Sequence, residues 1–159
     1  MPPHRSPAAQ PEIYLDDLAA GQTYPLGRRT VERDEIVTFA RAWDPQPFHL
    51  DDEAGAASIY GRLIASGWHT VAIFMRLFAG NLLNHSAALG SPGVDELRWL
   101  KPVYPGDTLD ARVEILEVKP FRSRPDRGAA RLHCVVTNQQ GDDVLTMIAV
   151  VMFRRRPEA

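Results

Sequence analysis

Residues 67–83 read GWHTVAIFMRLFAGNLL, and the way this stretch spends its apolar side chains decides the architecture. Val71, Phe74, Met75, Phe78 and Leu82 recur at helical spacing and form one stripe. Ile73 and Leu77 lie on other faces and are apolar too, and Arg76 is the only charge. A helix that is apolar nearly all round is buried in a protein or spans a membrane. This one is short for a span and is interrupted by His69, Arg76 and Asn81. The expectation is a central helix wrapped by other structure.

The wrapping material follows it. VDELRWL (94–100) leads to Pro102, and YPGD (104–107) has proline and glycine where a turn prefers them. LDARVEI (109–115) alternates apolar and polar residues, as a half-buried strand does. GAARLHCVV (128–136) and VLTMIAVVMF (144–153) are two further strands joined by the turn NQQGDD (138–143). The last is apolar on both faces and is expected centrally in the sheet. Between the first two, KPFRSRPDR (119–127) reads as a basic loop.

Upstream, EIYLDDLAAGQTYPLGRRTV (12–31) gives a short lead-in segment, a turn at Gly21 and a strand ending near Val31. In ERDEIVTFARAW (32–43), Ile36, Phe39, Ala40 and Trp43 mark one face of a helix, with Asp34 and Glu35 near its positive end. That helix stops at Asp44, because Pro45 disfavours helical geometry in the residue before it. A short helix, a long buried helix and then consecutive strands joined by hairpin turns argue for an α+β domain whose antiparallel sheet curls around one helix. This is the layout of a hot-dog fold. Such a sheet has open edges and an uncovered face, so at least a homodimer is expected.

Composition narrows the function classes. A chain of 159 residues with 45% hydrophobic and 24% charged residues fits one domain with one core, here residues 11–159 behind a disordered tail over 1–10. A net charge of −2 offers no broad positive field for nucleic acid. The single cysteine, Cys134, fits a reducing, cytoplasmic compartment. The N-terminus has no apolar core segment, so neither a signal peptide nor a membrane anchor is expected.

The stretch AWDPQPFHLDD (42–52) carries the chemistry. Alone, Asp44 is at home at a helix end and His49 as a hydrogen-bonded core histidine. Their joint occurrence changes the reading. Pro45 and Pro47 hold the backbone between them near extended or turn geometry, which reduces the entropy lost when two side chains are aimed at one spot. Preorganisation of that kind is what a catalytic pair needs.

DPQPFHLD (44–51) resembles the D-x-N-P-x-H-x-D motif of the MaoC-like dehydratases and (R)-specific enoyl-CoA hydratases, which are hot-dog proteins. YGRLIASGWHT (60–70) is similar to the family's R-P-I-A-H-G-M stretch, with Gly67 at its glycine, and LRWLKPVYPGDTL (97–109) to its strand and P-V-x-x-G-D turn. Three positions depart from the pattern. Gln46 replaces the motif's asparagine and is expected to relax a supporting hydrogen bond. Ser66 replaces the histidine before the glycine, and Trp68 and His69 replace smaller apolar residues.

The resemblance implies hydration of a trans-2-enoyl-CoA, or dehydration of the matching 3-hydroxyacyl-CoA, with the coenzyme A thioester as substrate and with neither metal nor redox cofactor. Asp44 and His49 can jointly hold one water and manage its protons, and the sequence leaves open which of them takes the proton. Gly67, where the central helix begins, has a backbone N–H free of intrahelical bonding and backed by the helix dipole, a natural oxyanion donor. His69 is read as a packing or capping residue. Lys119, Arg122, Arg124 and Arg127 could meet the coenzyme A phosphates or form a solvated loop, and Arg154–Arg156 are read in the same way. A thioesterase on the same fold and a non-catalytic acyl-thioester binder stay open as alternatives.

Overall fold

The computed structural model describes residues 10–159, so all but the last residue of the expected tail lies outside the described residues. Strand β1 (Thr23–Thr30) leads to helix α1 (Arg33–Trp43). Two short helices, α2 (Pro47–Leu50) and α3 (Asp52–Ala57), precede the long α4 (Gly67–Asn81). The chain then runs through β2 (Ala88–Trp99), β3 (Thr108–Pro120), β4 (Arg127–Thr137) and β5 (Asp143–Arg154). The five strands form one antiparallel sheet in the order β1-β3-β4-β5-β2, packed on α4, which is the hot-dog arrangement.

The alternation read in the strands is realised as burial. Leu109, Ala111, Val113 and Ile115 of β3 face the core, as do Ala130, Leu132, Cys134 and Val136 of β4 and Leu145, Met147, Ala149, Val151 and Phe153 of β5. Opposite them α4 contributes Ile73, Phe74 and Phe78, and full burial of each such side chain is worth about 1.5–3 kcal/mol. Burial also pushes the Cys134 thiol up to about 12, so it is an inert filler of the core.

Several expectations need correction. Gln46, the one residue between the prolines, is extended as expected, but the chain beyond it forms a short helix absent from the sequence reading: Pro47 occupies the first turn of α2, where its missing N–H costs nothing. Helix α4 is rotated from its expected face, burying His69 and Thr70 with Ile73, Phe74 and Phe78, whereas Met75 is 45% exposed and Val71 and Leu77 are half-buried. The sheet covers one side of α4 and leaves the other open. On α1, Val37 takes the core position, and Trp43 is 76% exposed. β5 is an interior strand, but the centre of the sheet belongs to β4. β2 begins six residues before Val94 and runs through Pro92, with pairing shifts at Gly90, Gly93 and beyond Asp95. Proline is tolerated there because β2 is an edge strand, whose open side needs no donor.

Candidate active site

Helix α1 ends where Pro45 requires. Asp44 closes it, donating its N–H to the Ala40 carbonyl at 2.9 Å, and Gln46 N–H turns back onto the Asp44 carbonyl at 2.8 Å. This three-residue turn over Pro45 feeds α2, and the single turn of α2 returns His49 toward Asp44. Segment 64–66 closes the site from the other side. Ile64 N–H donates to the Phe48 carbonyl at 3.2 Å, and His49 Nδ1 lies 2.8 Å from the Ile64 carbonyl. A carbonyl can only accept, so Nδ1 carries the proton and the lone pair of a neutral ring sits on Nε2. Nε2 is 3.3 Å from Asp44 Oδ2.

The carboxylate is held on both oxygens. Ser66 Oγ donates to Oδ2 at 2.7 Å, and Gln46 Nε2 donates to Oδ1 at 2.7 Å. Gln46 therefore supplies the supporting hydrogen bond that its difference from asparagine had put in doubt. Ser66 is fully buried and also accepts the Trp68 N–H at 3.3 Å, so one hydroxyl caps α4 and fixes Asp44. In the sequence Ser66 registers only as a departure from a motif. A serine just before a helix is a signal for a cap, but nothing local says that Asp44 lies above it.

Gly67 is the first residue of α4 and, with Asp44 and His49, lines a cleft of about 500 Å³. Its N–H has no partner inside the helix, as expected for a first-turn donor. The indole of Trp99 lies against it: a Cβ at position 67 would stand 2.5 Å from Trp99 Nε1, so no side chain fits without moving that ring. Trp68 meets Trp99 edge to face at 5.1 Å, and Phe48, Tyr60, Ile64 and Val103 give the cleft an apolar wall. The sequence-predicted trio thus meets at one cleft. His69 does not: it points to another flank of α4. Arg127 is engaged by Asp126, Arg155 by Asp16 and Arg156 by Asp17, and none of the basic side chains proposed for phosphate lines the cleft. Among the described residues no three His, Cys, Asp or Glu side chains gather as a metal ion needs, and no helix is long and apolar enough to cross a membrane.

Burial raises the Asp44 pKa, but the hydrogen bonds from Ser66 and Gln46, joined by the charge of His49 whenever its ring is protonated, outweigh it and hold the carboxyl below its ordinary value of 3.8. The sign follows from linkage. A depressed folded pKa means stability that is present above the unfolded pKa and is lost as pH falls through the folded one. Ser66→Ala is therefore expected to move the Asp44 titration upward and to start acid unfolding at higher pH. A carboxyl-detected NMR titration followed by acid melts checks this, and an unmoved Asp44 titration in the variant would show that the Ser66 bond contributes nothing.

A MaoC-like domain profile matches residues 17–137. The chain is 31% identical to the 3-hydroxybutyryl-CoA dehydratase of Methylorubrum extorquens, over 92% of this chain and 88% of that one. Among solved structures, the MaoC-like dehydratase from Rhodospirillum rubrum superposes with a TM-score of 0.86 at 42% identity, covering 92% of this chain and 99% of the other. An R-hydratase from Pseudomonas aeruginosa gives 0.73 at 26% identity, with 91% and 87% coverage.

Proposed function

This chain is a member of the MaoC-like domain family, and from that premise we propose that it is a hydro-lyase that reversibly hydrates a trans-2-enoyl-CoA to a 3-hydroxyacyl-CoA. The observation that carries the proposal is the pairing of Asp44 Oδ2 and His49 Nε2, 3.3 Å apart, on the wall of a cleft that Gly67 also lines.

With the Nδ1 proton committed to Ile64, both facing atoms are acceptors, and one water can donate a proton toward each. As the water oxygen bonds to C3 of the enoyl group, one proton passes to the Asp44/His49 pair. The C2–C3 π electrons move toward the thioester oxygen, where the Gly67 N–H meets the developing charge. The pair then returns a proton to C2, so atoms and charge balance and nothing is oxidised or reduced. No step of this scheme needs a metal or a redox cofactor. A donor of the Gly67 kind is worth roughly 2.7–4 kcal/mol in the transition state.

Asp44, His49 and Gly67 are thus the residues assigned to catalysis, within a single unit over residues 11–159. A second copy is the proposed partner, because β2 is an edge strand with most of its residues exposed, including Val94 and Trp99. A lone, buried, reduced thiol at Cys134 suits a cytoplasmic setting.

The purified protein is expected to consume the conjugated double bond of a short trans-2-enoyl-CoA, followed by its absorbance, without release of free coenzyme A. Thiol release without prior hydration would point instead to a thioesterase. Tight binding without turnover, unchanged in His49→Ala, would point to a non-catalytic binder.

A further inference from the structure

On another flank of α4 lies a second cleft of about 440 Å³, lined by Arg29 of β1, Glu35 and Phe39 of α1, and His69, Ile73 and Arg76 of α4. It shares no lining residue with the acyl cleft. His69 is 7% exposed, and its ring is stacked on Phe39 at 4.8 Å and 9°. Its Nδ1 is sealed from solvent and has no hydrogen-bond partner among the described residues. A proton there would be a buried donor with nothing to receive it, so the neutral ring carries its proton on Nε2, the nitrogen that keeps contact with the cleft. Burial, helped by Arg29 and opposed by Glu35, holds the His69 pKa below its ordinary value and keeps the ring neutral.

The charges around it are unequally matched. Arg29 Nη2 is committed to Glu35 Oε2 at 2.8 Å, and that bond helps keep Glu35 ionised. Arg76 makes no ion pair or hydrogen bond among the described residues. The cleft therefore offers one uncompensated guanidinium and one fixed N–H donor above an apolar floor of Phe39, Ala72 and Ile73.

We propose that this cleft binds a small carboxylate anion with a short alkyl tail, its oxygens held by the Arg76 guanidinium and the His69 Nε2–H and its tail resting on Phe39, Ala72 and Ile73. A single negative charge matches the single free cation. Guanidinium favours the two-oxygen face of a carboxylate. Inorganic phosphate fits less well, because it brings up to a second charge toward Glu35 and has nothing to place on the apolar floor.

The test titrates full-length protein, ¹⁵N-labelled at histidine, with butyrate, acetate and inorganic phosphate at constant ionic strength. The expected result is a saturable shift of the His69 Nε2 resonance, with butyrate tighter than acetate and acetate tighter than phosphate. Arg76→Gln, an exposed substitution, should weaken butyrate by about tenfold or more, and Asp44→Asn should leave binding unchanged. The proposal is overturned by the absence of a saturable shift, by phosphate binding tighter than butyrate, or by a butyrate response that survives Arg76→Gln. A butyrate affinity that changes in Asp44→Asn, above all one that tightens as the repelling carboxylate is removed, would place the anion in the acyl cleft and overturn it equally.

Discussion

Asp44→Asn is expected to lower the rate of enoyl-CoA hydration by roughly 10²–10⁴-fold while the protein folds normally. The substitution keeps the shape of the side chain and removes its ability to take a proton. It also keeps most of the local bonding. The asparagine oxygen can replace Oδ2 as acceptor for Ser66 Oγ, now at 2.7 Å, and Gln46 can reverse its amide to accept from the new Nδ2 where it now donates at 2.7 Å to Oδ1. Loss of rate with an unchanged melting transition therefore isolates the proton-handling role. Because His49 Nε2 faces the same oxygen at 3.3 Å, the two residues act as a unit, and Asp44→Asn combined with His49→Gln should be little worse than the poorer single variant. Multiplicative losses would mean two independent groups. A variant that folds and keeps a rate within a few-fold of the parent would remove Asp44 from the mechanism.

What made this site legible was local chemistry. Pro45 and Pro47 constrain the path from Asp44 to His49, and a glycine opens the long apolar helix at its first free N–H, but it is the resemblance to the family's motifs that singles out all three residues together. What stayed hidden is non-local. Ser66 meets Asp44 across 22 residues of chain, and the Ile64 carbonyl that sets the His49 tautomer is 15 residues from the ring. Neither pairing leaves a pattern in spacing.

The fold divides in the same way. The strands with one buried face, β3 and β4, announce themselves by alternation. The first half of β2 does not, because Gly90, Pro92 and Gly93 are residue types that strands disfavour, and an edge strand exposed over most of its length has no reason to alternate. Periodicity found α4 but missed its orientation: apolar residues all round a helix do not say which side the sheet covers. The sequence makes His69 a packing or capping residue, and its ring does pack on Phe39, but the unpartnered Nδ1 depends on what α1 brings over it.

Gly55→Ala is expected to damage stability and activity together, by a route that never touches substrate. Gly55 is buried in α3, and a Cβ there would stand 2.6 Å from Leu63 Cα and 2.7 Å from the Arg62 carbonyl carbon. These are backbone atoms, so no rotamer change relieves the overlap; α3 and the 62–64 segment must move apart. Overpacking of this kind costs about 1–3 kcal/mol, which for a chain of this size lowers Tm by roughly 2–12 °C. The same movement carries away the Ile64 carbonyl, now 2.8 Å from His49 Nδ1, and with it the anchor that keeps Nε2 turned toward Asp44. The rate should therefore fall at temperatures where the variant is still fully folded, and the His49 ring resonances should shift. Gly80→Ala supplies the contrast. Gly80 lies in α4 with nothing within 4 Å of an added Cβ, and relief of backbone entropy in a helix should make that variant neutral or up to about 1 kcal/mol more stable, with activity intact. If Gly55→Ala melted like the parent and kept its rate, the close approach of α3 to the 62–64 backbone would not be what holds His49 in place.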